Sequence, residues 1–410
     1  MSTTTSPQNS VAQPSVPAEI EEQIHQALTG GLADWSVREL LSFLLSTAAT
    51  AERSAYLRRH PHDKGNGSYP RALEVGSLGV HLDVPRTRTG QFRPALLPAL
   101  YQRGYSDEAH QLVLALLSSA RSLNAAKTAL KKLGLACSED ELDAVAKDFL
   151  EEFALRNSRP LDPDLLALFV DGKYVEFKDG ERLRPATIYV AVGIDREGKK
   201  CVLACVTRPG RENLEEWKKL LRALLERGLR RVLIVVHDDF SGLLPVTQSL
   251  FPQADVQLCI VHMQRNAKSH LGKPEATEFA QRLRAIKACY SPERAALEFD
   301  ELCQHFEAAS PTFIAELRKK REHYLYFLQY PEPLQATLST TNVVEAVNGQ
   351  LERLRRNNGG YFQSEENLHL KLGIAMRSLE EGKWLRPCAD ARACIDQLNA
   401  LFARRFETES

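Results

Sequence analysis

The sequence predicts an α+β protein built from several domains. Apolar residues recur mostly at helical spacing up to about residue 160, short strands rich in Val, Ile and Leu follow from Asp162, and helical spacing returns after Gln264. At 410 residues the chain is too long for one ordinary hydrophobic core. Its apolar share of 43% is sufficient to build several cores.

The N-terminal region begins with a tail. Residues 1–17 are rich in Ser, Thr, Pro and Gln, so they cannot bury enough apolar surface and we predict disorder. Residues 18–60 then form an N-terminal helical unit, with Asp34 or Ser36 as a helix N-cap.

Two further segments precede the strands. Residues 61–95 are rich in Gly, Pro, Arg and Thr, and the alternation from Leu78 to Val84 predicts a short strand or hairpin followed by a basic loop. Residues 96–160 predict three short helices with a Gly-containing turn. Such a domain is either a DNA-reading helix-turn-helix or a plain three-helix bundle serving dimerisation.

Residues 161–262 predict the first part of a sheet-based core. The predicted strands are Leu166–Phe177, Arg184–Asp195, Lys200–Thr207, Arg231–Asp238 and Val256–Val261, with helices at Asn213–Arg227 and Gly242–Leu250. Three strands followed by helix, strand, helix and strand is the order of the ribonuclease H-like fold, a mixed sheet of the pattern β-β-β-α-β-α-β-α. Its first and fourth strands are neighbours, so Asp171 and Asp238 should converge.

The rest of the chain is predicted to be helical. Residues 263–338 lack strand candidates and predict an all-α insertion, because a structureless loop of that length is unusual. Residues 339–385 complete the core with a helix capped by Thr341 or Asn342 that carries Glu345 in its first turn. Residues 386–410 predict a C-terminal helix.

Three carboxylates are the candidate catalytic residues. Asp171 and Asp238 lie at strand ends and Glu345 lies on a helix, an arrangement whose hard oxygen ligands can hold two Mg²⁺ ions for phosphodiester chemistry. Each aspartate alone is more often a turn or cap residue. Asn342 and Asn348 share a helix face with Glu345.

Charge and cysteine usage narrow the protein class. Lys+Arg and Asp+Glu are equal at 53 each, so any DNA contact must come from local patches. Eight cysteines without C-x-x-C pairs fit a reducing cytoplasm and predict neither disulfides nor zinc. We expect no membrane span or signal peptide, and a soluble cytoplasmic protein.

Two arginine groups are the candidate DNA contacts. Arg353, Arg355 and Arg356 follow Glu345 on its predicted helix and suit a phosphate backbone. Three more lie in the basic loop region: Arg86, Arg88 and Arg93. An ordinary solvated basic loop is the alternative for the second group.

Four ordered blocks resemble one protein family. They are Asp171-Gly with Tyr174-Val-Glu, Val235-Val-His-Asp238 followed by Ser241-Gly-Leu, Cys259-Ile-Val-His262, and Asn342-Val-Val-Glu345-Ala-Val-Asn348. They look like the core of bacterial insertion-sequence transposases of the Mutator type, over about Asn66 to Leu379.

The resemblance implies a function. Asp171, Asp238 and Glu345 would form the DDE triad that holds two Mg²⁺ ions, with Mn²⁺ able to substitute. The protein would bind double-stranded DNA at terminal inverted repeats, cleave the element ends and join the 3′-hydroxyls to target DNA. It would act as a homodimer on the bacterial nucleoid.

Several positions carry alternatives. Cys259 and His262 provide only two metal ligands, so they are either site-shaping, as the resemblance implies, or a buried structural pair. Asp239 stands where the family commonly has glycine, and we favour Asp238 as the ligand. Trp217 is expected at the surface or core edge of its helix, where it would serve packing.

Two other functions compete with an active transposase. A catalytically inactive, transposase-derived DNA-binding protein would be favoured by loss of a carboxylate, yet all three are present. A sequence-independent ribonuclease H-type nuclease is disfavoured by the N-terminal helices and the large insertion.

Overall fold

The computed structural model describes residues 18–31, 35–75, 78–97, 107–133, 139–289 and 291–407. The predicted tail, residues 1–17, and the alternative cap Asp34 lie outside these residues. The chain divides into two compact units, Met1–Leu116 with Lys127–Leu142, and Leu117–Ala126 with Asp143–Ser410. Among the described residues, no helix is long and apolar enough to cross a membrane.

The first unit contains a helical pair and a hairpin. Helices α1 and α2 span Ala18–Thr29 and Val37–Arg59, and strands β1 and β2 span Gly65–Val75 and Leu78–Thr87. Ser36 caps α2 because its side chain accepts the Glu39 N–H while the Glu39 carboxylate accepts the Ser36 N–H.

The hairpin is longer than the sequence indicated. Strand β1 pairs antiparallel with β2 along most of its length, although Gly65, Gly67 and Pro70 hide its alternation. Strand β2 buries Val80 and Leu82 in a small core. The regular alternation of β2 therefore holds the hairpin in place where β1 has none of its own. Three helices follow: α3 at Asp107–Ser119, α4 at Leu123–Leu133 and α5 at Glu139–Arg156, each divided between the two units.

A five-stranded mixed sheet forms the centre of the second unit. Its strands are β3 at Asp164–Asp179, β4 at Arg182–Ile194, β5 at Lys200–Pro209, β6 at Arg231–His237 and β7 at Asp255–Leu258. They lie in the order β5-β4-β3-β6-β7, with β3, β4 and β5 antiparallel and β3, β6 and β7 parallel. The predicted mixed α+β class is confirmed.

Helices cover both faces of this sheet. Helix α6, Leu214–Glu226, packs with α7, Leu243–Leu250, against one face, where Leu168 and Val170 of β3 are buried. Phe169 of β3 faces the opposite core. Burial on both faces explains why β3 and β6 are almost continuously apolar.

The remaining helices form the opposite layer and a helical region beside it. They are α8 Ile260–Leu271, α9 Lys273–Lys287, α10 Pro292–Phe306, α11 Pro311–Lys319, α12 Arg321–Leu325, α13 Glu332–Leu338, α14 Asn342–Asn357, α15 Glu365–Glu380, α16 Ala389–Ala393 and α17 Ile395–Phe406, with a 3₁₀ turn at Tyr326–Gln329. Every regular element in residues 260–289 and 291–357 is helical. These helices share one apolar core with the sheet.

One predicted strand boundary is wrong. Val256–Val261 was expected as a strand, but β7 ends at Leu258 and α8 begins at Ile260. The Ile260 N–H donates to the Ser339 carbonyl at 3.0 Å, so a contact distant in sequence ends the sheet there. Cys259 therefore lies at the junction and His262 in the first turn of a helix.

Candidate active site

Adjacent parallel strands bring Asp171 and Asp238 to the same level. The β3–β6 register pairs Phe169 with Val236, and each aspartate lies two residues further along its own chain. Asp171 was expected at a strand end but lies within β3, where alternation places its side chain on the face on which Phe169 is buried. Asp238 directly follows the last residue of β6. Asp171 is only 6% exposed.

Helix α14 packs on this same face. Val343, Val344 and Val347 are buried, so the helix faces the sheet with a fixed side. Its N-cap position is Thr341, whose side chain makes no capping hydrogen bond. Helix α14 thereby contributes to a pocket of about 380 Å³ lined by Asp171, Gly172, Lys173, His262, Arg265, Glu345, Asn348, Gly349 and Glu352. Asp238 lies outside that lining.

Asn348 contacts Asp171 directly. Its Nδ2 donates to Asp171 Oδ2 at 2.6 Å, across 177 residues of sequence. Asn348 is only 8% exposed, and its Oδ1 has no hydrogen-bond partner among the described residues. Asp238 Oδ1 is likewise buried without a partner there. Buried oxygen acceptors of this kind require a donor or a cation.

The surroundings of the two aspartates disfavour their charged forms. Burial is the main reason that the pKa of Asp171 is raised to about 7; His262 opposes this rise, and the nearby Asp238, Cys259 and Glu212 contribute to it. Burial also raises the pKa of Asp238 to about 6, with Glu212 the next largest cause. Like charges in a poorly solvated place oppose ionisation, and a divalent cation would reverse that effect.

Glu345 lies in the same pocket but is paired elsewhere. Arg265 Nη2 donates to Glu345 Oε1 at 3.3 Å, and Arg265 Nη1 donates to His262 Nε2 at 3.1 Å. The Glu345 side chain is 37% exposed, unlike the aspartates. Within the described residues, no three His, Cys, Asp or Glu side chains are arranged as a metal-binding group.

Cys259 and His262 have different environments. Cys259 is buried, and its Sγ accepts hydrogen bonds from the backbone and hydroxyl of Thr341 at 3.4 and 3.6 Å. This contact ties the start of α8 to the start of α14. His262 lines the pocket, and its Nδ1 is buried without a partner among the described residues. Asn342 is exposed at the start of α14.

The neighbours of Asp238 point elsewhere. Asp239 accepts two hydrogen bonds from Lys320 Nζ, both at 2.8 Å, and one from the Tyr324 hydroxyl at 3.2 Å. Asp239 is therefore engaged with the helical region. His237 is fully buried with its Nδ1 against the Asp238 carbonyl oxygen. Burial lowers the pKa of His237 to about 4, so it is neutral near pH 7.

The predicted DNA-contact arginines are surface residues with different partners. Arg355 and Arg356 both donate to Glu352, at 2.7 and 3.1 Å, whereas Arg353 is exposed. The hydrogen bond from Arg355 is the main reason that the pKa of Glu352 falls to about 2. In the first unit Arg86, Arg88 and Arg93 are exposed, and the Arg86 guanidinium lies 5.6 Å from the Tyr69 ring centroid.

Sequence reasoning missed Glu212. This carboxylate contributes to the raised pKa of both aspartates and accepts a hydrogen bond from Trp217 Nε1 at 2.7 Å. Trp217, expected at the surface or core edge, is fully buried because its ring packs edge-on against Tyr189. A glutamate in the loop before a helix carries no distinctive pattern, so only the fold reveals it.

Comparison with known proteins adds independent findings. The profile of the family described as "Transposase, Mutator family" matches residues 13–386. The chain is 28% identical over 376 residues to the transposase for insertion sequence element IS905 of Lactococcus lactis subsp. lactis (strain IL1403), covering 89% of this chain and 94% of that protein. It is also 28% identical over 350 residues to the transposase for insertion sequence element ISRM3 of Rhizobium meliloti (strain 1021), covering 84% and 86%.

A solved structure gives a weaker likeness. The chain matches the Drosophila P element transposase strand transfer complex with 13% identity and a TM-score of 0.27, over 77% of this chain and 88% of that one. A score this low supports no statement about the fold.

Proposed function

The chain belongs to the Mutator family of transposases, and on that premise we propose that it binds terminal inverted repeats, cleaves DNA at the element ends and joins the 3′-hydroxyls to target DNA. The observation that carries the proposal is the convergence of Asp171 and Asp238 on adjacent strands, beneath a helix that carries Glu345. All three residues belong to the second compact unit.

The proposal includes a ribonuclease H-like core. Three antiparallel strands followed by two parallel strands with intervening helices support it. The core would comprise residues 161–262 and 339–385, interrupted by the helical insertion 263–338. Residues 18–60, 61–95 and 96–160 would serve DNA binding or dimerisation, and residues 386–410 would support the core.

The chemistry of three side chains suits divalent cations. Asp171, Asp238 and Glu345 offer hard oxygen ligands, and the buried Asp238 Oδ1 without a partner among the described residues supports a role as ligand. We propose that these three hold two Mg²⁺ ions, which Mn²⁺ can replace. When bound, such ions activate an attacking oxygen and stabilise a leaving one.

The chain's other residues would bind and orient. Asn348 orients the Asp171 carboxylate through its Nδ2–H, leaving the second Asp171 oxygen available. His262 lines the pocket and would face the scissile phosphate, while Cys259 keeps the two helix starts together. For Glu345 to turn toward the aspartates, it must leave Arg265.

DNA contacts would come from arginines that reach the protein surface. Arg353, Arg355 and Arg356 near the pocket, and Arg86, Arg88 and Arg93 in the first unit, would bind phosphates. Since Arg355 and Arg356 already share Glu352, their net attraction to phosphate is reduced until that carboxylate is displaced. A homodimer would pair two element ends, and the reaction would take place in the bacterial cytoplasm on the nucleoid.

The test uses a plasmid that carries the native flanking DNA. Wild type, Glu345→Gln and the control Glu366→Gln are compared in Mg²⁺ and in EDTA. Glu366 is an exposed glutamate in the first turn of α15, so its substitution matches the chemical change away from the pocket. We expect metal-dependent cleavage at the element border by wild type and the control, and none by Glu345→Gln.

Other outcomes would support the competing functions. Binding at the border without cleavage in any divalent metal would indicate a DNA-binding protein that no longer cuts. Metal-dependent cleavage at unrelated sequences would indicate a sequence-independent nuclease.

A further inference from the structure

Glu212 is a carboxylate beside Gly172, a lining residue of the candidate active site, and the proposed chemistry does not use it. It precedes helix α6, and its side chain packs against Gly172, the residue after Asp171. A Cβ added to Gly172 would lie 2.8 Å from Glu212 Cδ and 2.9 Å from each carboxylate oxygen. Glycine at this position therefore makes room for a charged group.

Glu212 is held in this place by buried aromatic side chains. Trp217 Nε1 donates to Glu212 Oε1 at 2.7 Å, and Trp217 is completely buried. Its ring meets Tyr189 edge to face, with centroids 4.8 Å apart and planes at 80°. Tyr189 lies opposite Gly172 in the β3–β4 register, and its hydroxyl accepts the Asn213 N–H at 2.9 Å.

Buried aromatic side chains hold the Glu212 carboxylate in a fixed position. The sheet positions Tyr189, Tyr189 positions Trp217, and Trp217 orients the carboxylate beside Gly172. Gly172 directly follows Asp171 in β3, so the Glu212 carboxylate lies against the residue next to a proposed metal ligand. A further carboxylate this close to Asp171 is costly when ionised unless a cation compensates its charge.

A second observation also indicates a ligand. Asn348 is more than nine-tenths buried and lines the pocket, yet its Oδ1 has no hydrogen-bond partner among the described residues. Its amide already donates to Asp171, so the oxygen is available as an acceptor or ligand. The pocket therefore holds the buried Asp171 carboxylate next to an unused amide oxygen, with Glu212 behind the adjoining Gly172.

We propose that Glu212 is a positioning residue that sets the affinity of the Asp171–Asp238 pair for divalent cations. This inference rests on the proposed function, because it assumes that the pair binds metal. Glu212 acts through its charge and its contact with Gly172, while Trp217 occupies Oε1 and keeps the carboxylate from rotating.

The experiment measures Mn²⁺ binding to the purified full chain without DNA. Electron paramagnetic resonance of free Mn²⁺ reports both the dissociation constant and the number of bound ions. We compare wild type with Glu212→Gln, Glu212→Asp and Trp217→Phe. Glu215→Gln is the matched control, because Glu215 lies three residues further along in the first turn of α6, is exposed and pairs with Lys218.

We expect Glu212→Gln to weaken Mn²⁺ binding about 10- to 100-fold, the range usual for residues that support metal ligands, without changing the ion count. Glu212→Asp should retain more affinity than Glu212→Gln, because it keeps the charge. Trp217→Phe removes the N–H and should weaken binding in the same direction. Glu215→Gln should match wild type.

The opposite order would overturn the inference. If Glu212→Gln binds Mn²⁺ as tightly as wild type, or more tightly than Glu212→Asp, the residue serves packing rather than charge. Loss of one bound ion in Glu212→Gln would make it a direct ligand, contradicting a positioning role. Should Glu212→Gln not fold, the affinity of Glu212→Asp decides: within threefold of wild type supports the charge role, and a full loss contradicts it.

Asp171→Asn separates this failure from failure of the proposed function. If wild type binds Mn²⁺ and Asp171→Asn does not, the metal site stands whatever Glu212 does. If both bind Mn²⁺ equally, the proposed site itself is wrong.

Discussion

The two sides of the candidate site are built differently. Asp171 and Asp238 extend from a sheet buried on both faces, and burial is the main reason that the pKa of each is raised. Across the pocket, Glu345 is partly exposed and already pairs with Arg265. The carboxylates on the sheet side are therefore disfavoured in their charged forms, whereas Glu345 on the helix side already has an arginine counter-ion.

This difference teaches how such a site can stay intact without metal. Backbone hydrogen bonds hold the aspartates whether or not they are ionised, so protonation can relieve their repulsion. Glu345 would otherwise add another negative charge to the same pocket, but Arg265 neutralises it. Metal binding would then require proton release on one side and side-chain movement on the other.

The largest expected effect distinguishes neighbouring aspartates. Asp238→Asn should reduce border cleavage by about 10³-fold or more, because several kcal/mol of metal-derived stabilisation are lost. Asp239→Asn should retain cleavage within about tenfold of wild type, since Asp239 bonds to Lys320 and Tyr324. Cleavage rates on the same plasmid measure both. Equal losses of cleavage in the two variants would mean that Asp239 also takes part in the active site.

The next prediction concerns pH. The pKa of Asp171 is raised from 3.8 to about 7 in the folded chain, so the metal-free folded state binds more protons than the unfolded one between those values. Stability from this group is therefore complete below pH 3.8 and lost as pH rises through about 7. Urea unfolding of wild type between pH 5 and 8 should show this fall relative to Asp171→Asn.

The comparison with Asp171→Asn is necessary because His237 titrates in the opposite sense. Its lowered pKa, about 4, means that stability is lost as pH falls below 6.5. Mg²⁺ should remove most of the difference between wild type and Asp171→Asn in how the free energy of unfolding changes with pH. An identical pH slope in both proteins would contradict the burial argument.

Asn348→Ala should have an intermediate effect. It removes the only side-chain amide that donates to the buried Asp171 oxygen in the described residues, which should lower the free energy of unfolding by about 1–3 kcal/mol near pH 8. Near pH 5 the loss should be smaller, because Asp171 is then protonated. Denaturation at both pH values checks this, and a pH-independent loss would indicate simple packing damage.

Arg265→Gln should have the smallest effect on stability. The ion pair with Glu345 is 3.3 Å long and both side chains are partly exposed, so its removal should change the free energy of unfolding by less than about 1 kcal/mol. If neutralisation of Glu345 by Arg265 matters more, Arg265→Gln will lower the metal-free free energy of unfolding by more than about 1 kcal/mol. Adding Glu345→Gln will then restore that stability. A double-mutant cycle measures this coupling.

The regular elements of the second unit were largely predictable. Continuous apolar runs identified the strands β3 and β6 within two residues of their ends, and the capping pattern identified α14. These signals are local, because each strand or helix places its own periodicity in the sequence. A short strand or hairpin was predicted near Leu78–Val84, but the full length of β1 was not, because glycine and proline obscure its alternation.

The candidate site was only partly predictable. Asp171, Asp238 and Glu345 stood out by their settings, and adjacent strands do bring the first two together. The pairing of Glu345 with Arg265, the engagement of Asp239 by Lys320 and the presence of Glu212 were not predictable. Each of these features depends on a contact between side chains that produces no periodic pattern in the sequence.

The sequence by itself determined the family, the mixed α+β class and the order of strands and helices in the sheet-containing unit. These follow from local patterning and from motif blocks that each span only a few residues. Only the tertiary structure decided which carboxylates are buried together and that Glu345 already pairs with an arginine. It also decided that Trp217 orients Glu212 beside Gly172. Burial and Coulomb interactions depend on distance in space, so charge environment emerges only when the chain is folded.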